Sequence, residues 1–305
     1  MQNKKFYNQL VIGGAQLGMR YIGNNQIFRK KKEIEKIFKL GKKFGINKVD
    51  TAIAYGKSER NIGANKERKK MFVITKFDLK NFNEENISLF DFLKKKIENS
   101  LKKLMVSKIN ILLIHRYIDL KKYNNKLINA LKKLNKMGYF HEAGISIYNP
   151  NELKFSLKHR YLKNIQIPFN IIDYRWLDPK IISLIKKKKV KIHVRSIFLK
   201  GLLINEKSSP KKFNLIMSKI HSKFNNYILK FNKKNKLELC ISYVKSFNWI
   251  KYYIIGFNSL EEYKEILKEA NKSKKLHKKD IITIMKDMKS IIKDRKILSP
   301  NLWTN

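Results

Sequence analysis

Four side chains of this sequence have chemistry to offer together: Asp50, Tyr55, Lys76 and His115. A carboxylate and a phenol stand five positions apart in Val49-Asp50-Thr51-Ala52-Ile53-Ala54-Tyr55-Gly56-Lys57-Ser58-Glu59. Lys76 closes the apolar run Met71-Phe72-Val73-Ile74-Thr75, and His115 closes Ile109-Asn110-Ile111-Leu112-Leu113-Ile114. A lone tyrosine has a pKa of about 10 and donates a proton poorly at neutral pH unless a nearby cation favours its anion. Lys76 could supply that charge, Asp50 could keep the ammonium protonated and oriented, and His115 could hydrogen-bond a substrate oxygen beside the Tyr55 hydroxyl. The result is a polarised carbonyl with a proton source next to it. No nucleophile is required. Such a set suits hydride arriving at a carbonyl carbon while Tyr55 protonates the oxygen, and the hydride must come from a bound cofactor, since no side chain provides one.

Taken singly, each residue has a plainer reading. Lys76 is one of many lysines, His115 after an apolar run is an ordinary core histidine, Asp50 could cap the following turn, and Tyr55 is one of 14 tyrosines. Two rival functions also fit parts of the pattern. One is a Schiff-base lyase or aldolase with Lys76 as nucleophile and Tyr55 as proton shuttle. The other is a basic binding protein on an inactive scaffold, with steeply salt-dependent affinity for nucleic acid.

Stepping along the chain, the elements that must position these residues alternate in the rhythm of βα units. Strands are predicted over Leu10 to Gly14, Lys48 to Ala52, Met71 to Lys76, Ile109 to His115, Phe140 to Ser146, Asn164 to Pro168, Val190 to Ser196 and Tyr252 to Gly256. Helices are predicted between them. The first covers Lys32 to Phe44 with Ile34, Ile37, Phe38 and Gly41 on one face; others begin at Asn149-Pro150, Asp178-Pro179 and Ser259, and one stops at Gly138. Two helical stretches, Lys212 to Phe231 and Leu237 to Phe247, precede the eighth strand, and a C-terminal helix over Lys279 to Lys293 lies beyond the eight units. The expected fold is an α/β (β/α)8 TIM barrel with an additional C-terminal helix, in one domain over 1–305. Asp50, Lys76 and His115 fall at or just past strand ends, where such barrels carry their active sites.

Composition bounds the rest. A chain of 305 residues, 43% apolar, is large enough for a full barrel core. The single cysteine, Cys240, rules out an internal disulfide framework and fits a helical pattern as a buried thiol. No apolar run approaches the ~18 residues of a membrane span and no apolar h-region follows Met1 to Gln9, so the expectation is a cytoplasmic protein. Net charge is +45, from 69 Lys and Arg against 24 Asp and Glu, but the lysines recur in nearly every helical segment instead of forming one basic arm. That spread reads as a solvated lysine surface, not as specific nucleic-acid binding. The six histidines form no i, i+4 pair, so no metal site is expected. Gly14-x-x-x-Gly18 makes neither a dinucleotide fingerprint nor a phosphate loop.

In order, the residues resemble the aldo-keto reductases. The match runs from Gly13-Gly14-Ala15-Gln16-Leu17-Gly18 through Asp50-Thr51-Ala52-x-x-Tyr55-Gly56-x-Ser58-Glu59, Thr75-Lys76, Leu113-Ile114-His115 and Gly144-Ile145-Ser146. It continues to Gln166-x-x-x-Asn170 and Arg195-Ser196-Ile197-Phe198-Leu199-x-Gly201-Leu202-Leu203. The opening and closing segments look most like a bacterial subgroup associated with surface-carbohydrate gene clusters. The resemblance implies NADPH or NADH bound extended without a Rossmann domain, a small-molecule carbonyl substrate, and a catalytic tetrad of Asp50, Tyr55, Lys76 and His115. It also implies cofactor contacts from Gly14, Ala15, Asp50, Ser146, Gln166, Arg195, Ser196, Phe198, Gly201, Gly256, Asn258 and Glu262, with Ser146 and Gln166 at the nicotinamide carboxamide and Asn170 near it. Three positions depart from the family pattern. Arg195 stands where an aromatic residue usually stacks on the nicotinamide, Ile147 where asparagine often follows the serine, and Glu262 where NADPH-dependent members often carry arginine. A carboxylate at Glu262 would repel a 2'-phosphate, while Lys264 and Lys268 could still bind one. Substrate specificity is expected from the loops Gln16 to Phe28, Tyr117 to Tyr123, Asp173 to Asp178 and Asn205 to Lys211, with Arg20, Arg116 and Arg175 in or beside them as candidates for an anionic or sugar-like ligand.

Overall fold

The computed structural model describes residues 4–19, 31–206, 211–299 and 303. Eight short runs rich in isoleucine, valine and leucine form the strands, as β-branched side chains favour a pleated surface buried on both faces. They are β1 (Leu10–Gly13), β2 (Lys48–Asp50), β3 (Phe72–Phe77), β4 (Ile109–Ile114), β5 (Phe140–Ser146), β6 (Asn164–Pro168), β7 (Lys191–Arg195) and β8 (Ile250–Ile255). Neighbours in sequence pair in parallel, and β8 closes on β1 through Leu10↔Tyr253 and Ile12↔Ile255. The fold is the expected (β/α)8 barrel. β5 and β6 have the predicted bounds, and the other strands differ from the sequence reading by one or two residues at an end.

Alternation along each strand divides the core in two. Val11, Ile74, Ile111, Leu113 and Ile254 fill the barrel interior, backed by Phe72 and Tyr252. The outward set, among them Ile12, Val49, Val73, Leu112, Ile145 and Val194, packs under the helices in a larger continuous core. Those helices are α1 (Lys4–Tyr7), α2 (Lys31–Lys43), α3 (Ser58–Gly63), α4 (Leu89–Leu104), α5 (Tyr117–Lys136), α6 (Pro150–Ser156), α7 (Pro179–Lys188), α8 (Asn214–Lys230), α9 (Lys236–Lys245), α10 (Leu260–Lys272) and α11 (Lys278–Ile291). α2 buries the predicted face Ile34, Ile37, Phe38 and Gly41. A Cβ on Gly41 would stand 2.9 Å from the Tyr263 hydroxyl, so glycine lets α2 lie close against α10.

Two features depart from the sequence reading. α1 was not expected; it buries Phe6 and Tyr7, and the Tyr7 hydroxyl donates to the Leu267 carbonyl at 2.9 Å. α5 starts one turn before Lys121, where the sequence pattern over Lys121 to Met137 would begin it, and is interrupted at Asn124, whose φ is 39°, a conformation asparagine tolerates better than most residues. The loop segment 20–28, including Arg20, lies outside the described residues, as does 207–210. Cys240 is fully buried as expected, and burial pushes its thiol up to about 12. No helix among the described residues is long and apolar enough to cross a membrane.

Candidate active site

The glycine-rich segment after β1 is a backbone brace for the loop that carries Tyr55. Gly14 N–H donates to the Asp50 carbonyl at 2.7 Å, the Ser58 hydroxyl donates to the Gly14 carbonyl at 2.7 Å, and the Thr51 hydroxyl donates to Ser58 Oγ at 2.8 Å. A Cβ on Gly14 would come within 2.7 Å of the Asp50 carbonyl, and one on Gly18 within 2.0 Å of Ser58 N. Any side chain at either position would therefore push the β1 and β2 loops apart. Glu59, buried behind the same loop, accepts from the Thr75 hydroxyl at 2.8 Å and from Ser100 at 3.3 Å, fastening α3 to β3 and α4. Burial raises its carboxyl above the usual range.

On this frame the four candidate residues converge. Lys76 is fully buried, and its Nζ donates to Asp50 Oδ2 at 2.6 Å and to the Thr51 carbonyl at 2.8 Å. Asp50 Oδ1 accepts from Gln166 Nε2 at 2.7 Å, so the carboxylate is held from both sides. The Lys76 ammonium lies 5.0 Å from the centroid of the Tyr55 ring. His115, one residue past β4, meets that ring edge-on, with centroids 5.7 Å apart at 84°. Burial, then the charges of Lys76 and Arg195, hold the His115 imidazole down to about 3. It is uncharged at neutral pH.

A cleft opens over Asp50 and Tyr55, while Lys76 and His115 are not among the residues that line it. Of the residues expected at the cofactor, Gly14, Ala15, Asp50, Arg195, Ser196, Phe198, Gly201, Gly256, Asn258 and Glu262 line it, together with Tyr55. Gln166 is reached through Asp50, and Ser146 is its register partner on β5. Lining residues that the sequence reading did not single out for the cofactor include Gln16, Met19, Tyr148, Lys200 and Phe257. Of these, Gln16 sits inside the quoted opening motif and was the most findable. The Gln16 carboxamide covers Gly256, where a Cβ would stand 3.2 Å from both its polar atoms. The β7 loop holds Ser196, Leu199 and Lys200 at φ of 59°, 48° and 57°, a left-handed strain of the kind that collects at ligand clamps. Asn170 Nδ2 anchors it through the Ser196 carbonyl at 3.1 Å, and Asn170 Oδ1 accepts from Ile172 N–H.

A nicotinamide nucleotide fits these residues on two observations. Gln166 Oε1 is buried without a hydrogen-bond partner, which suits an acceptor reserved for an incoming amide N–H. The wall includes Gly201, where no protein atom lies within 4 Å of the place a Cβ would take, leaving room for a close approach. Glu262 lines the cleft while also capping α10: its Oε2 accepts from Asn258 N–H at 2.6 Å, and its own N–H donates to Ser259 Oγ at 3.0 Å. Arg175 is differently placed from the sequence expectation. Its guanidinium forks onto buried Asp173 at 2.8 and 2.7 Å, so its charge is already matched.

The fold resembles solved structures. An aldo-keto reductase of Bacillus halodurans in its holo form superposes with a TM-score of 0.72 at 20% identity, covering 92% of this chain and 91% of that one. A glycerol dehydrogenase of Gluconobacter oxydans gives 0.71 at 20% identity, covering 94% and 93%. No curated protein matches the chain by sequence. The model of the aldo/keto reductase family matches residues 9–286. Most of the chain lies within that match, and the chain belongs to the aldo/keto reductase family of NAD(P)H-dependent oxidoreductases.

Proposed function

We propose that this protein, one barrel domain over 1–305, reduces the carbonyl of a small molecule to an alcohol with Tyr55 as the proton donor. The carrying observation is the buried Lys76 ammonium, fixed by Asp50 and Thr51 at 5.0 Å from the Tyr55 ring. Two of its three N–H donors are occupied, and its charge stabilises the phenolate that forms as Tyr55 gives up its proton. His115, uncharged at pH 7, is a poor acid and a good hydrogen-bond partner for the carbonyl oxygen. When bound, the reduced nicotinamide supplies the hydride. Gln166 and Ser146 would hold its carboxamide, while Gly14, Ala15, Ser196, Phe198, Gly201, Gly256 and Asn258 would line its path.

A Schiff-base role for Lys76 is disfavoured by its complete burial and its ion pair with Asp50, which leave no free amine to attack. The Glu262 carboxylate on the cleft disfavours a 2'-phosphate, and Lys264 and Lys268 follow on the same helix. Titration of the protein with NADH and NADPH at fixed salt, read by nicotinamide fluorescence, tests the reading. Saturable binding of either supports it, and binding of neither overturns it. The affinity ratio, and its change in Glu262→Gln, measures how strongly the carboxylate selects.

A further inference from the structure

Arg195 ends β7 and lines the cleft together with Asp50 and Tyr55. Its Cζ lies 4.4 Å from the centroid of the Tyr148 ring, and its Nη2 makes a long 3.5 Å bond to the Ile147 carbonyl. Neither neighbour carries a negative charge. All 24 acidic residues of the chain lie among the described residues, and none forms an ion pair with Arg195. The carboxylates nearest the reaction end are already engaged: Asp50 by Lys76 and Gln166, Asp78 by Lys96, and Glu262 by the backbone of Asn258. With Asp50 and Lys76 paired and His115 uncharged, Arg195 lines the cleft at that end as a positive charge with no ion-pair partner of its own. It is close enough to that end to depress His115.

We propose that Arg195 makes the site discriminate between the two redox states of its cofactor, holding the reduced form more tightly than the oxidised one. The inference rests on the nicotinamide reading above. A reduced nicotinamide ring is neutral and an oxidised one carries a positive charge, so a fixed guanidinium beside the ring's seat repels only the second. Like charges sharing a partly buried cleft repel by enough to change an affinity about tenfold. The guanidinium of Arg195 is planar and can face a flat ring while carrying a charge. The outcome is a site that loads the reduced cofactor in preference and releases the oxidised one readily after hydride transfer.

Calorimetric titration of wild type, Arg195→Gln and Arg195→Lys with the reduced and oxidised forms of the same nucleotide tests this. Wild type is expected to bind the reduced form about tenfold more tightly. Arg195→Gln should bring the two affinities together, mainly by tightening the oxidised form, while Arg195→Lys, which keeps the charge and loses the planar fork, should retain most of the preference. A ratio unchanged in Arg195→Gln, or equal weakening of both forms, would overturn the assignment and leave the nicotinamide reading standing. Loss of the preference in Arg195→Lys would overturn charge as its cause. Failure of wild type to bind either form would remove both.

Discussion

The two ends of the barrel are built from the same parts. At the end where the strands finish, Asp50 pairs with Lys76, the β6 carboxamide Gln166 holds the carboxylate, Tyr55 lies against the ammonium and His115 stands edge-on to Tyr55. Where the strands begin, Glu142 pairs with Lys191, and the β6 carboxamide Asn164 holds that carboxylate at 2.8 Å. There His193 touches Asn164 Oδ1 at 3.1 Å and stands edge-on to Tyr252, which faces Lys48 and Lys251. Asn164 and Gln166 are two residues apart on one strand, so both face the interior. What differs is water. The side chains of Lys76 and Asp50 are 0% and 4% exposed, those of Lys191 and Glu142 42% and 36%. Charge in the dry layer is screened less than charge in the wet pair. Burial, more than residue identity, separates the proposed proton-transfer site from a surface ion pair.

Removing one partner from each pair sharpens that contrast. Lys76→Met strands the Asp50 carboxylate in the dry layer and should cost about 3–5 kcal/mol in a urea unfolding curve. Lys191→Met should cost at most about 1 kcal/mol. Similar losses from both variants would break the comparison.

Acid should expose the buried histidines next. Burial first, then nearby lysine charges, hold His193 at about 3, and His115 sits equally low against an ordinary value of 6.5. Between those values the unfolded chain binds more protons than the folded one, so stability is flat above about pH 6.5 and falls as the pH drops toward 3. The expected loss from pH 7 to pH 4.5 is on the order of a few kcal/mol, read as a falling urea midpoint. His193→Gln should make that slope shallower.

Smaller still is the effect of Glu262→Ala, which removes the acceptor for Asn258 N–H at the start of α10. About 1 kcal/mol of stability should go with the cap. Thermal unfolding with and without saturating cofactor separates this loss from any change in binding.

Each strand was readable because its β-branched run is bounded by turn residues, and α2 because its apolar face repeats at helical spacing. α1, at four residues, is too short to show a period, and its contacts with α10, β8 and the end of α2 define it. Within the site, Asp50, Tyr55, Lys76 and His115 could be named because strand ends flagged three of them. The Gln166–Asp50 bond could not, since it joins residues 116 positions apart. Ser259-x-x-Glu262 carried a capping-box pattern that was legible, yet the glutamate was read only against a cofactor phosphate. Asp173, two residues before Arg175, was likewise the visible partner of a guanidinium read as ligand-facing. The Arg195–Tyr148 stack joins the end of β7 to the loop after β5, across the intervening β6, residues 47 positions apart.

The account stands most directly on Tyr55 as the acid. Turnover of a carbonyl substrate at saturating reduced cofactor, measured for Tyr55→Phe beside Tyr252→Phe, tests it. Tyr55→Phe should lower kcat by about 10²–10⁴-fold with cofactor affinity nearly unchanged, and Tyr252→Phe should leave kcat within about twofold. Near-wild-type turnover in Tyr55→Phe would contradict the assignment and place the proton elsewhere.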